Sequence, residues 1–202
     1  KKHPSTAISY NNIGLVYYRQ GKNKKALEYY FKALKIEEKV LGKEHLDTTT
    51  SYINIGLVYD RQGKYEKALE YLIRSLRIRE KVLGKEHIRT ASSYKNIGYV
   101  FSSQGKYRKA LEYLLKALEI EEKVLGKKHP DTAISYNNIG SVYYHLKNYK
   151  KAERYLLKAV LIREKPLGKD HPDTKTSYKW LAKVYKALGD SKKAKYYRKK
   201  SE

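Results

Sequence analysis

The sequence of 202 residues contains neither cysteine nor methionine, and it has only four prolines. Without cysteine the chain can form no disulfide, no cysteine-ligated zinc or iron–sulfur site and no thiol nucleophile. No apolar run approaches the roughly 18 residues that a membrane span needs, so we expect no membrane insertion. The N-terminal Lys1-Lys2-His3-Pro4 lacks the apolar stretch of a secretory signal. We therefore expect a cytoplasmic, intracellular protein, and the missing initiator methionine leads us to expect a fragment of a longer chain.

Acidic residues are also scarce. Asp and Glu together number 21 against 45 Lys and Arg, which gives a formal net charge of +24. A hydrophobic content of 41% and an aromatic content of 12% nevertheless predict a folded chain. Common catalytic motifs are missing as well, among them the P-loop, Gly-x-Ser-x-Gly and His-Glu-x-x-His. We therefore expect no enzymatic activity and no cofactor.

A repeat of 42 residues runs through the chain and is marked by His3, His45, His87, His129 and His171. Each copy holds two apolar patterns with helical spacing, of which Tyr10, Ile13, Gly14 and Tyr17 form the first pattern of the first copy. Glycines between and after the patterns are suited to helix ends. The sequence therefore predicts an all-α fold of five helix-turn-helix repeats, with about ten antiparallel helices.

Two local features carry expectations of their own. Histidines on successive hairpins lie roughly 10 Å apart, too far to share a zinc ion whose bonds to nitrogen are about 2 Å long. We therefore expect no metal site, and a local hydrogen bond at the turn between repeats for each histidine. Pro166 replaces a valine of the other copies, and we expect it to end the fourth long helix about a turn early.

The first-helix pattern Tyr-x-x-Ile-Gly-x-x-Tyr, the turn Gln-Gly-Lys-Tyr and the second-helix run Lys-Ala-Leu-Glu-Tyr resemble tetratricopeptide repeats. The 42-residue spacing, the run Glu-Lys-Val-Leu-Gly-Lys and the junction His-Pro-Asp-Thr-Ala are similar to the kinesin-light-chain subtype. This resemblance implies a right-handed superhelical solenoid whose first helices line a concave groove for extended peptides of partner proteins. We expect a single array over residues 1–202, with repeats at about 4–44, 46–86, 88–128, 130–170 and 172–202.

Comparison of the five copies separates constant from variable positions of the first helix. The constant columns of Tyr10, Gly14 and Tyr17 alternate large and small residues, which predicts close helix packing. The variable columns hold chemically unlike residues on one stripe, as expected of a surface adapted to a partner. The predicted peptide-binding residues from these columns are Asn11, Leu15, Tyr18, Arg19, Ile53, Leu57, Arg61, Lys95, Tyr99, Asn137, Ser141, Tyr144, His145, Lys179, Lys183 and Lys186.

These residues differ in the contacts that we expect of them. The resemblance implies that Asn11 and Asn137 clamp the backbone amides of the peptide, because an amide side chain both donates and accepts. We expect aromatic contacts from Tyr18, Tyr99 and Tyr144. Lysines of the same columns would select an acidic partner, and they are Lys95, Lys179, Lys183 and Lys186.

Two other functions stay open at this point. The charge is concentrated toward the C-terminus, so the basic edges could bind a polyanion or nucleic acid. Lysine outnumbers arginine, however, and arginine makes the bidentate base contacts, so a protein or peptide partner is favoured over nucleic acid. The chain could instead be an excised or engineered structural segment whose ends stack on neighbours. The sequence leaves the oligomeric state undetermined.

Overall fold

The structure, a computed structural model, describes residues 3–202, so Lys1 and Lys2 of the N-terminal segment lie outside the described residues. Its helices are α1 (Pro4–Arg19), α2 (Asn23–Val40), α3 (Thr48–Arg61), α4 (Tyr65–Leu83), α5 (Ile88–Ser103), α6 (Tyr107–Val124), α7 (Pro130–His145), α8 (Tyr149–Leu167), α9 (Pro172–Ala187) and α10 (Ser191–Lys200). Residues 3–202 contain no strand, which confirms the predicted all-α class of helical repeats. The helices form two compact units, α1–α5 up to Gln104 and α6–α10 from Gly105 onward. The single array over residues 1–202 stays a prediction.

Histidines cap the first helices of the repeats. The Nδ1 atoms of His3, His87, His129 and His171 each accept a hydrogen bond from the backbone N–H two residues later, at 3.0 to 3.2 Å. His45 accepts the same bond from Asp47, although α3 begins one residue after that aspartate. In the four helices that begin directly after a histidine, this bond satisfies one N–H group that the helix start leaves without an intrahelical partner. The predicted local hydrogen bond at these turns is confirmed.

The prediction that Pro166 shortens the fourth long helix is wrong, because α8 continues to Leu167. The ring of proline fixes a φ angle that suits a helix, and the missing N–H removes only one hydrogen bond. Near the end of a helix that loss is small, and Gly168 closes the last turn by donating its N–H to the Glu164 carbonyl at 3.0 Å.

Glycine lets the two helices of a repeat approach closely. A Cβ atom at Gly56 would lie 2.8 Å from Cγ of Leu72, and one at Gly140 would lie 2.6 Å from Cγ of Leu156. Both leucines are buried, so neither side chain has free space into which it could move. These distances confirm the packing role predicted for the glycine column.

Within each unit, a second helix also packs against the first helix of the next repeat. Apolar residues spaced four apart on the second helix meet apolar residues of the following first helix. In one core these residues are Ala26, Tyr30, Leu34, Tyr52, Ile55 and Val58, and in another they are Ala152, Leu156, Val160, Tyr178, Leu181 and Val184. A tyrosine hydroxyl donates to a glutamate across this interface in four pairs, Tyr52–Glu38, Tyr94–Glu80, Tyr136–Glu122 and Tyr178–Glu164.

Candidate functional site

Asn11 lies in a buried polar network rather than on an open face. Its Nδ2 donates to Oε1 of Glu37 at 3.1 Å and to Oγ of Ser51 at 2.9 Å. Its Oδ1 accepts from the Ser51 hydroxyl at 3.1 Å and from Nδ2 of Asn54 at 3.3 Å. The amide is therefore used on both sides, and peptide clamping would require these bonds to be exchanged.

Asn137 of the second unit has a similar environment. Its side chain is buried, and its Oδ1 accepts from the Ser177 hydroxyl at 2.9 Å. Ser177 in turn accepts a hydrogen bond from the Arg163 guanidinium at 2.8 Å. The structure thus places both predicted clamp residues in the packing between repeats, and their contact with a peptide stays a prediction.

The remaining predicted residues of the first unit differ in exposure. Arg61 donates to the Tyr18 carbonyl at 2.7 Å, and its guanidinium carbon lies 5.1 Å from the centre of the Tyr18 ring. Burial raises the pKa of Tyr18, and the positive charge of Arg61 opposes this rise. Tyr99 is 53% exposed. Leu15 and Arg19 are also exposed, whereas the half-buried members are Ile53, Leu57 and Lys95.

Asp60 belongs to the same face, although it is absent from the predicted set. Its Oδ1 atom is buried without a hydrogen-bond partner. Burial raises the pKa of the Asp60 carboxyl, while a hydrogen bond from Ser103 opposes this rise. Asp60 occupies the same variable column as Tyr18 and Tyr144. Its variable column was the signal that could have included it.

In the second unit, the predicted residues Tyr144, His145 and Lys183 surround Trp180. The His145 ring is stacked on Tyr107 with 4.7 Å between ring centres, and it lies 5.6 Å from the Trp180 ring. The Lys183 Nζ lies 4.4 Å from the centre of the Trp180 ring. Burial, and secondarily the charge of Lys183, lowers the pKa of His145. Sequence analysis missed Trp180, which replaces an asparagine that is constant in the other copies, and Tyr107, which begins a second helix and so lies outside the compared first-helix columns.

A cavity of 760 Å³ lies between α9 and α10. Its lining includes the small residues Ala182 and Ala194 and the cationic residues Lys183, Lys186, Lys195, Arg198 and Lys199. We call this site the C-terminal basic cavity. It forms because Arg198 stands where the other repeats have a buried Tyr30, Leu72, Leu114 or Leu156, and its side chain extends into solvent instead.

The basic cavity contains two of the three lysines predicted on α9. Lys183 and Lys186 line it, whereas the exposed Lys179 lies on the same helix outside the lining. Ser141, on α7, uses its hydroxyl to donate to the Asn138 carbonyl at 2.8 Å. Among residues 3–202, no three or more His, Asp or Glu side chains come together in a way that could hold a metal ion. No helix within that range has the length and apolar character that crossing a membrane requires.

Comparisons with known proteins agree with this architecture. The family model of the tetratricopeptide repeat matches residues 5–81, 61–123, 104–165 and 131–201. No curated protein matches the sequence significantly. Among solved structures, BtubC (BKLC) from P. vanneervenii is 27% identical with a TM-score of 0.85, and the match covers 98% of this chain and 79% of that one.

Two further structures extend the comparison. A Podosopora anserina protein described as a kinesin light chain with nearly identical TPR-like repeats is 25% identical with a TM-score of 0.82, over 100% of this chain and 95% of that one. A Rap protein complexed with Competence and Sporulation Factor shares the fold at 22% identity and a TM-score of 0.78, over 95% of this chain and 52% of that one. Tetratricopeptide repeats generally mediate protein–protein interaction and typically form non-enzymatic scaffolds. The family model spans nearly the whole sequence, and the chain belongs to the tetratricopeptide repeat family, with kinesin-light-chain-like proteins among its structural relatives.

Proposed function

We propose that this chain is an interaction module that binds an acidic, extended segment of a partner protein, with the C-terminal basic cavity as its main site. The observation that carries the proposal is the composition of the cavity, which combines small apolar residues with five cationic side chains. Glu202 is the one acidic residue in the lining, and its carboxylate lies 3.7 Å from Nε of Arg198. The cavity therefore keeps a strong positive potential.

Such a site favours carboxylates for two physical reasons. Charged hydrogen bonds between lysine or arginine and a carboxylate are stronger than those between neutral groups. A recess lined by one sign of charge also raises the local concentration of ligands with the opposite sign and accelerates their association. Small residues such as Ala182 and Ala194 leave space for apolar side chains between the acidic ones.

The aromatic group around Trp180 would extend this binding surface. Lys183 contributes to both features, because it lines the cavity and lies over the Trp180 ring. Aromatic residues commonly supply a large share of the binding energy at protein interfaces. We therefore propose that acidic residues of the partner occupy the cavity while a neighbouring apolar residue contacts Trp180, Tyr144 or His145.

In the first unit, the proposed contacts come from the exposed or half-buried residues of the predicted stripe. They are Leu15, Tyr18, Arg19, Ile53, Leu57, Arg61, Lys95 and Tyr99. Asn11 and Asn137 enter the proposal only as residues whose intramolecular hydrogen bonds would be exchanged on binding.

A peptide-display library of random sequences tests this proposal at physiological salt. The variant Lys183→Glu/Lys186→Glu should lose enrichment of the acidic peptides that the parent chain selects, and their affinity should fall roughly tenfold or more, since like charges would then meet in the cavity. A control variant, Lys85→Glu/Lys127→Glu, changes the net charge equally at exposed turn positions outside the cavity. Equal loss in both variants, or retained affinity in the first, would contradict the cavity as the site.

Binding of a polyanion is the second candidate, because α10 has no buried residue and carries Lys192, Lys193, Lys195, Arg198, Lys199 and Lys200. A fluorescent DNA duplex should then bind with a logarithmic salt slope of about −0.9 per phosphate contact. Tight duplex binding of this kind without selection of any peptide would favour this second function.

A further inference from the structure

One column of first-helix residues is buried in four of the five repeats. It consists of Thr, Ser, Ile or Leu, and Val at successive turns of the helix, and none of its members in α3, α5, α7 and α9 exceeds 1% exposure. These residues are Thr48, Ser51, Ile55, Val58, Thr90, Ser93, Ile97, Val100, Thr132, Ser135, Ile139, Val142, Thr174, Ser177, Leu181 and Val184. The second helix of the preceding repeat covers each of these columns.

The equivalent column of α1 is open. Its residues are Thr6, Ser9, Ile13 and Val16, which we call the open column. Ile13 is 39% exposed and Val16 is 54% exposed. Large apolar side chains that are exposed in this copy and buried in all four remaining copies indicate an interface whose partner is missing.

The covered columns show which groups the missing partner must offer. At α5, Thr90 donates its hydroxyl to the Gly84 carbonyl at 2.8 Å, and Ser93 accepts from the Arg79 guanidinium at 3.0 Å. Tyr94 donates to Glu80 of the same second helix. Polar and apolar contacts therefore repeat in fixed positions along that helix.

The first helix of the chain retains the matching groups. Thr6, Ser9 and Tyr10 correspond to Thr90, Ser93 and Tyr94. The Ser9 hydroxyl donates to the Ser5 carbonyl of its own helix at 3.2 Å, as Ser93 and Ser177 do to the carbonyls four residues before them.

We propose that the open column is a docking surface for the second helix of another tetratricopeptide repeat, one that carries an Ala, Leu, Leu row, a following Glu or Arg, and a terminal glycine carbonyl. This chain's own C-terminal helix does not fit this description. Its residues at the equivalent row are Ala194, Arg198 and Glu202, so charged groups would face Ile13 and Val16. A head-to-tail second copy is therefore disfavoured, because those charges would lose their hydration without gaining partners.

A labelled peptide with the sequence of residues 64–86 serves as the probe, because it contains α4 with Ala68, Leu72, Leu76, Arg79 and the Gly84 carbonyl. Fluorescence anisotropy with the full chain should show saturable binding below about 100 µM. The affinity of the variant Ile13→Asp/Val16→Asp for the peptide should be lower by roughly tenfold or more. The control Leu161→Asp removes an apolar residue that is 76% exposed elsewhere and should leave binding unchanged.

Disulfide trapping provides a second test if the isolated peptide forms little helix in solution. The chain has no cysteine of its own, so a crosslink can form only at an introduced cysteine. In the covered interface between α2 and α3, Thr48 bonds the Gly42 carbonyl and Tyr52 bonds Glu38, so these antiparallel helices place Leu34 level with Ile55 of the same core. A peptide with Leu76→Cys should therefore crosslink to an Ile13→Cys chain and not to a Leu161→Cys chain. Absence of selective crosslinking and of binding would overturn the proposal. So would concentration-dependent self-association that Ile13→Asp/Val16→Asp abolishes, since a second copy would then be the occupant.

Discussion

At the scale of single residues, the buried ionisable groups of the second helices lie at one repeated position. Glu37 and Arg79 occupy this position in the first two repeats, and Glu121 and Arg163 occupy it in the third and fourth. Burial lowers the pKa of Arg79 to about 10, and it raises the pKa of Glu37 despite hydrogen bonds from Ser51 and Asn11. One oxygen of Glu37, Oε2, has no hydrogen-bond partner. Ionised Glu37 is therefore a source of instability.

We predict that Glu37→Gln changes the pH dependence of folding. The pKa of Glu37 is above its ordinary value of 4.5 in the folded chain, so the folded state binds the proton more tightly. The contribution of Glu37 to stability is full below the unfolded-state pKa and is lost as the pH rises through the folded-state pKa. The stability of the variant relative to the parent should then be about 1 kcal/mol greater at pH 7 than at pH 4.

Urea unfolding followed by circular dichroism at both pH values measures this difference. Glu119→Gln, at an exposed position of α6, is the control and should show no comparable change between the two pH values. A difference between Glu37→Gln and the parent that is independent of pH would contradict the prediction.

Sequence patterns predicted the apolar and glycine columns of the core but not the polar network around Asn11. Asn11 lies in a variable column, and the next column is constant, with Asn12, Asn54, Asn96 and Asn138, which predicts that these four residues bond a neighbouring repeat. Asn54 does so through Asn11, whereas Asn12 lies in solvent and Asn11 contacts Glu37. Adjacent helix positions point about 100° apart, so the choice between them depends on which second-helix side chain lies opposite. The periodicity alone does not contain that information.

At the scale of elements, the turns between the two helices of a repeat share one backbone conformation. Gly21, Gly63, Gly105 and Gly189 all have φ between 72° and 79°. Lys147 holds the same place before α8 with φ of 59°. A residue with a side chain is strained in this left-handed region, by roughly 1 kcal/mol.

Lys147→Gly should therefore stabilise the chain, by about 1 kcal/mol in the free energy of unfolding. The matched substitution Arg154→Gly lies within α8, where glycine should cost about 1 kcal/mol relative to a good helix former. Chemical denaturation measures the change in the free energy of unfolding for each variant. The two changes should have opposite signs if the backbone conformation at the substituted residue determines the effect. Destabilisation by both would show that the Lys147 side chain contributes more than its strain costs.

The existence and order of the helices were predictable because two strong periodic patterns recur five times. The end of α8 was not predicted correctly. The rule for proline in a helix interior was applied to Pro166, although this residue lies in the last turn of the helix. Helix ends depend on which few hydrogen bonds remain to be made, and the repeat pattern does not report these.

At the scale of the whole molecule, the net charge of +24 opposes folding through mutual repulsion. We predict that stability increases with ionic strength, by about 1 kcal/mol between 10 mM and 150 mM NaCl, because the screening length falls from about 30 Å to about 8 Å. Thermal or urea unfolding across this range measures the effect. Unchanged or falling stability would show that local ion pairs outweigh the repulsion.

A charge-reduced variant provides the control for this prediction. It replaces six exposed lysines by glutamine, at Lys24, Lys35, Lys43, Lys85, Lys127 and Lys128. Its stability should be higher than that of the parent at low salt, and the two should converge as salt is added.

The serine that follows each buried ionisable position has a consequence for how such arrays evolve. Beside Glu37, Ser51 both accepts from and donates to the Asn11 amide, whereas Ser93 and Ser177 accept from the guanidinium groups of Arg79 and Arg163. A hydroxyl can serve either sign because it both donates and accepts. After a duplication, a repeat could therefore exchange glutamate for arginine without a compensating mutation in the next repeat. The hydroxyl makes neighbouring copies free to diverge one at a time.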